Sequence, residues 1–160
     1  MDSKMKLLGH PIHQMLVVFP VGLLATAVIF DVIHAVGGNE TMAVVAFWLI
    51  SAGIIGGLVA APFGTIDWLS IPAGTRAKSV GAMHGVGNVL VIILFLGSWA
   101  LRREVPADPG VIALLLALCG GAVATVTAWL GGELVDRLGV GVHDGAHLDA
   151  PSSLKKHTIA

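Results

Sequence analysis

Six side chains in this sequence have the types and positions to do chemistry: His10, His13, Asp67, His84, Asn88 and Glu133. Imidazole nitrogens ligate transition metals and haem iron. Carboxylates complete a non-haem metal site, or accept the second imidazole N–H and raise the basicity of the ligand. His10 and His13 are three residues apart, so a helix places them on one face, and Asn88 follows His84 by one turn. Three readings are open. In the first, haem b is held by histidines of the first and third helices, His13 and His84, with His10 the alternative and Asn88 beside the haem edge. In the second, His10, His13, Asp67, His84 and Glu133 build a non-haem iron, zinc or manganese site. In the third, the same groups fix helix register in a cofactor-free accessory subunit of a larger membrane complex.

The elements that position these groups follow from composition. Of 160 residues, 56% are hydrophobic and 12% charged, with mean hydropathy +0.89. A soluble domain is about 25% charged, so the lipid bilayer is the expected solvent. The net charge of −1 gives no footprint for nucleic acid. The single Cys119 cannot form an intramolecular disulfide, and the lack of a Cys-x-x-Cys-His motif excludes covalent c-type haem. Four apolar segments run about Pro11–Val36, Met42–Leu69, Val80–Leu101 and Val111–Val135. Each can cross a hydrocarbon core of about 30 Å at about 1.5 Å per residue. Pro11 suits the first turn of a helix. Ala25-Thr26-Ala27 resembles a signal cleavage site, but Val28, Ile29 and Phe30 continue the apolar run, so the first helix is read as retained. Short connections force antiparallel neighbours. The expected fold is an all-α integral membrane bundle of four up-down helices over residues 1–142, with a polar cytoplasmic tail from 143 to 160. His143 and His147 fall in that tail and are read as surface groups.

Lys4, Lys6, Arg76, Lys78, Arg137, Lys155 and Lys156 cluster on one side of the spans, against Arg102 and Arg103 on the other. Both termini are therefore expected in the cytoplasm. His10 or His13, Asp67, His84 and Glu133 then share one leaflet. The order His, acid, His, acid along the four helices, with Trp68 and Trp129 beside the acids, suggests a parallel repeat of two hairpins about an axis along the membrane normal. Asp31 and His34, at the other end of helix one, read as an interfacial pair. Gly53, Gly57 and Ala61 are spaced by four, as are Gly81 and Gly85, and Gly120, Gly121 and Ala124 add a third small-residue set; such spacing lets helices approach closely in lipid. Ile92 reads as part of an adaptable or lipid-facing surface. Pro62 should free the carbonyl of Leu58. No nucleophile–base–orienter set and no phosphate-binding Gly loop occurs, so the sequence supports no enzyme assignment.

Gly9-His10-Pro11-Ile12-His13, Phe19-Pro20-x-Gly22, His84-x-x-x-Asn88 and Gly131-Gly132-Glu133-Leu134-Val135 followed by Gly139-Val140-Gly141-Val142 carry a resemblance. The chain resembles a family of small bacterial four-helix membrane proteins known only as a domain of unknown function, over nearly its whole length to about Val142. The family's architecture is similar to that of two-haem membrane cytochromes, and some relatives are fused to Rieske-type domains. The resemblance implies a membrane bundle and supplies no established activity; the expected location is the bacterial inner membrane, as a multi-pass protein, with other membrane redox subunits or a second copy as partners. Two positions depart from the family pattern. Gln14 stands where a proline is usual after the second His, and Leu138 where a His is frequent before Gly-Val-Gly-Val.

Overall fold

The computed structural model describes residues 1–155; Lys156 and the rest of the tail, 156–160, lie outside the described residues. The chain opens with a two-stranded antiparallel hairpin, β1 (Lys6–Leu7) and β2 (His10–Pro11). Its turn residues, Leu8 and Gly9, have φ of 52° and 87°. A two-residue type I′ turn requires φ > 0 at both positions. Five helices follow: α1 (Ile12–Leu16), α2 (Val18–Gly37), α3 (Glu40–Ser70), α4 (Arg76–Arg102) and α5 (Gly110–Gly132). A π-helical turn, Glu133–Arg137, ends the last of them. α1 and α2 together form one span, so four helical segments, Ile12–Gly37, Glu40–Ser70, Arg76–Arg102 and Gly110–Arg137, are long and apolar enough to cross a bilayer. The four-helix membrane bundle expected from the sequence is the architecture observed. His10, however, is on β2 and not on a helix. Pro11 caps α1 and does not enter it, so His10 and His13 do not share a helical face.

Local signals set the helix ends. Asn39 accepts the Met42 N–H at 3.3 Å, and Thr75 accepts the Lys78 N–H at 3.1 Å, so two helices begin on side-chain caps. Gly38, at φ 65°, ends α2 and returns its N–H to the His34 carbonyl. Loss of a cap costs about 1 kcal/mol. Thr75→Ala should therefore lower thermal stability measurably, and Thr65→Ala, an exposed hydroxyl bonded within its own helix, should not; equal losses would refute the capping role.

The helices pair as two hairpins, α2 with α3 and α4 with α5, each packed closely along its length, and the hairpins meet one another more sparsely. The sequence repeat is real, but its register is not the one the acids and tryptophans suggested. The buried residues of α2 are Pro20, Leu24, Ala27 and Asp31; those of α4 include Val91, Phe95, Ser98 and Arg102. The two sets differ by 71 positions throughout (91 against 20, 102 against 31). Ala46, Ile50, Gly53 and Ala60 of α3 match Ala113, Ala117, Gly120 and Thr127 of α5 with an offset of 67 (113 against 46, 127 against 60). Contacts repeat as well. A Cβ on Gly53 would stand 2.6 Å from Leu24, and one on Gly120 would stand 2.8 Å from Phe95. These matched residues build the core: Leu24, Ala27, Ala46, Ile50, Ile54, Val91, Phe95 and Ala117. Outward positions such as Phe19, Ile29, Ile55, Leu58, Val86 and Ile93 remain exposed, as a lipid-facing surface requires.

The Gly57 contact also departs from expectation. Ile92 is not a free surface residue: a Cβ on Gly57 would lie 2.8 Å from Ile92 Cδ1. Gly57→Leu should destabilise by about 1–3 kcal/mol, and pairing it with Ile92→Ala should return part of that loss. Additive losses in a detergent melting series would show that the two residues do not share one gap.

At the end of the bundle that carries the termini, here the terminal face, the N-terminal segment and the Gly139–Gly141 turn lie side by side. The Met1 amino group donates to the Gly139 carbonyl and the Gly141 N–H donates to the Met1 carbonyl, both at 2.9 Å. The Lys6 ammonium bonds the Asp2 carboxylate and holds its pKa below the ordinary value.

Candidate functional site

His13 and His84 are 71 positions apart, so they are equivalents in the repeat, and the structure seats them alike. His13 Nδ1 lies 3.0 Å from the Ala60 carbonyl of α3, and His84 Nδ1 lies 2.8 Å from the Thr127 carbonyl of α5. Only a protonated Nδ1 can bond a carbonyl, so in the neutral form of either ring Nε2 keeps the lone pair. Each ring rests on a glycine one turn beyond its acceptor. A Cβ on Gly64 would stand 2.6 Å from His13 Cε1, and one on Gly131 would stand 3.2 Å from His84 Cε1. The two seats thus use the same design: an imidazole from one helix, a carbonyl at position n of the adjacent helix, and glycine at n+4.

The seats differ at Nε2. Asn88 Nδ2 donates to His84 Nε2 at 3.1 Å and to the His84 carbonyl at 2.9 Å, while Asn88 Oδ1 accepts from the Thr127 hydroxyl at 3.2 Å. The repeat equivalent of Asn88 is Val17. Among the described residues His13 Nε2 has no hydrogen-bond partner. The surroundings of both seats are only half-buried: His13, Gln14, Gly64, His84, Gly87 and Asn88 all fall between core and surface. The apolar core fed by all four helices lies farther from the terminal face. Near the seats the buried cluster of Val80, Leu130 and Leu134 belongs to the second hairpin alone.

The carboxylates do not accept from the imidazoles, contrary to the second-partner role expected from the sequence. Asp67 accepts two bonds from the Ser3 hydroxyl, at 2.7 and 2.8 Å, and one from the Lys4 N–H at 2.8 Å, and so pins the N-terminal segment to α3. Glu133 pairs with Arg76. The reason is depth. Asp67 is seven residues beyond Ala60 and Glu133 six beyond Thr127, about 10 Å along a helix at ~1.5 Å per residue. Backbone carbonyls at the level of the rings take their place. His10 is exposed, with Nε2 3.5 Å from the Ser153 hydroxyl. Among the described residues no three His, Cys, Asp or Glu side chains gather where they could hold a metal ion.

Sequence reasoning missed a second polar site. Asp31 and Arg102, also repeat equivalents, meet across the axis between the hairpins. Arg102 Nη1 donates to Asp31 Oδ1 at 2.7 Å and Nη2 to Oδ2 at 3.0 Å; Nη2 also reaches the Ser98 hydroxyl and the Ala113 carbonyl. The two side chains are 1% and 0% exposed. Asp31 is thus not an interfacial partner of His34. His34 instead bonds the Asn39 carbonyl through Nδ1 at 3.1 Å. The signal that could have found the pair was the 71-residue offset, which places a buried acid opposite a base.

Neither curated proteins nor solved structures provide a match to the chain. A family model described as a predicted membrane protein (DUF2231) matches residues 9–144, a stretch that contains both histidine seats and the buried ion pair. The chain belongs to this family of membrane proteins.

Proposed function

We propose that the protein is a membrane redox subunit that binds haem b through Nε2 of His13 and His84. The observation that carries this reading is the repeated seat, in which both imidazoles commit Nδ1–H to a carbonyl of the adjacent helix. Metal-ligating histidines characteristically donate their other ring N–H in this way, which fixes tautomer and ring orientation. The donor set fits haem: two neutral imidazoles, with Nε2 carrying the lone pair, on the two diagonal helices of the bundle. It fits a mononuclear His–carboxylate metal site less well, because Asp67 and Glu133 have other partners nearer the terminal face. Haem iron, when bound, would supply reversible one-electron transfer. The chain's own residues would do the holding: Ala60 and Thr127 would orient the rings, Gly64 and Gly131 would admit them, and Asn88, which bonds both His84 Nε2 and the His84 carbonyl, would keep the second bond alone.

Absorption of the detergent-extracted protein tests the proposal. A Soret band with one iron per chain is expected. His13→Ala and His84→Ala should each abolish it, and His34→Ala should leave it intact. Protein that carries neither Soret absorption nor stoichiometric iron would sink the haem reading and leave a cofactor-free accessory subunit.

The terminal face is assigned to the cytoplasm. The structure-derived charge pattern favours this more than the sequence count did, because Arg102 is buried against Asp31 and leaves Arg103 as the exposed base at the far end. In a Cys119→Ser background, an impermeant thiol reagent added outside intact cells should label Asn39→Cys and spare Arg76→Cys. The reverse pattern would overturn the orientation.

A further inference from the structure

The two histidine seats depart from their symmetry at three linked positions. Where the first hairpin has Leu16, Val17 and Ala60, the second has Gly87, Asn88 and Thr127. The three differences belong together. A Cβ on Gly87 would collide with the Thr127 methyl group, so glycine makes room for the larger side chain. The Thr127 hydroxyl then reaches Asn88 Oδ1 at 3.2 Å. The His84 carbonyl can only accept, so the Asn88 amide must turn its nitrogen toward it, at 2.9 Å. The same nitrogen offers its other hydrogen to His84 Nε2 at 3.1 Å. The result is a parked imidazole with both ring nitrogens partnered, Nδ1 by the Thr127 carbonyl and Nε2 by Asn88. His13 is partnered at Nδ1 alone among the described residues.

The difference matters when a ligand leaves the iron. His84 Nε2 would return to a waiting donor, whereas His13 Nε2 would return to none in a half-buried site. One neutral hydrogen bond shifts such an equilibrium by about two- to tenfold, so His84 is the ligand that a competitor displaces. The competitor must be small, because the displaced ring still fills its own seat between Asn88 and Gly131. It must also be uncharged, because the seat lies within the span and near the apolar cluster of Val80, Leu130 and Leu134, where an unpaired charge is costly. We propose that this centre takes up a small neutral diatomic molecule in exchange for His84, with Asn88 as the positioning residue that holds the displaced ring. This rests on the haem reading and gives that site a ligand class. The exchange replaces the bond of His84 Nε2 by one to the diatomic molecule and remakes the Asn88 hydrogen bond; no electron or proton moves.

Carbon monoxide titrated into the reduced protein in detergent, followed in the Soret region, tests this together with nitrogen-15 spectra of labelled histidine. Saturable uptake is expected, and in the saturated protein His84 should be the ring whose Nε2 is released from iron while His13 stays bound. Asn88→Val installs the residue of the other seat and should lower the carbon monoxide affinity per haem by about two- to tenfold. Should that variant fail to fold, Val17→Asn gives His13 the same partner at the junction of α1 and α2, and should divide the released signal between His84 and His13. Protein without a Soret band would overturn the haem reading and this proposal with it. A Soret band that carbon monoxide leaves unchanged, a saturated protein in which His13 is the released ring, or an affinity and a released signal unmoved by both variants would overturn the exchange at His84 and leave the haem reading standing.

Discussion

Asp31→Ala should lower the stability of the bundle by about 3–5 kcal/mol, because it leaves Arg102 as an uncompensated charge in the interior. Arg102 is 0% exposed, and Asp31 takes one bond from each of its terminal nitrogens. Among the described residues Arg102 Nε already has no partner, so little else can absorb the loss. Ser98 and the Ala113 carbonyl are dipoles and do not neutralise the cation. Removing both charges is a different experiment: Asp31→Leu with Arg102→Leu should recover most of the stability, since well-packed apolar replacements of buried pairs are often neutral or better. The repeat allows a sharper test. Asp31 and Arg102 occupy equivalent positions, so Asp31→Arg with Arg102→Asp should be far more stable than either single change, and Ala27→Ser, which supplies the equivalent of Ser98, should improve it further. Thermal unfolding in detergent reads all of these. If the exchanged pair is no better than the worse single variant, the two positions are not equivalent and the axis between the hairpins is misplaced.

The spans were legible because hydrophobic length in lipid is a strong constraint: a backbone crossing hydrocarbon must satisfy its own hydrogen bonds, and four apolar runs with short connections leave one architecture. The residues that organise the interior were harder to read. Arg102 stands next to Arg103 at the end of an apolar run, so it counted as a topological charge, whereas α4 extends far enough to carry it into the core. The hairpin at Leu8–Gly9 was hidden because a leucine at φ 52° is not a turn signal. The spacing of His10 to His13 and the intervening Pro11 therefore suggest a helix where the chain forms β2. Asp67 and Glu133 are near the expected level in sequence terms, but six or seven residues past a carbonyl is too far for an imidazole. Spacing along one helix was reliable; the choice of partner on another helix needed the register of the repeat. Once the offsets of 71 and 67 are known, the Leu24–Gly53 contact implies the Phe95–Gly120 contact and one histidine seat implies the other, as Asp31 implies the equivalent position of Arg102.

The largest packing effect should appear at Gly64. A methyl group there would meet three atoms of the His13 ring, at 2.6 Å from Cε1, 2.8 Å from Nδ1 and 3.0 Å from Nε2. At Gly57 the obstructing atom is the end of the Ile92 side chain, which can rotate. The imidazole cannot move in the same way without breaking its bond to the Ala60 carbonyl, and that carbonyl is on a buried residue. Gly64→Ala should therefore cost about 0.5–1.5 kcal/mol for the lost imidazole bond, with overpacking strain of about 1–3 kcal/mol in addition. Gly131→Ala tests the second seat under milder conditions, since its nearest ring atom would be 3.2 Å away, and it should cost clearly less. The order Gly64→Ala worse than Gly131→Ala is expected in thermal unfolding. In nitrogen-15 spectra of labelled histidine, the Nδ1–H signature of His13 should disappear in Gly64→Ala while that of His84 persists. A Gly64→Ala protein with wild-type stability and an unchanged His13 signal would show that the ring is not held against α3, and the equivalence of the two seats would fall with it.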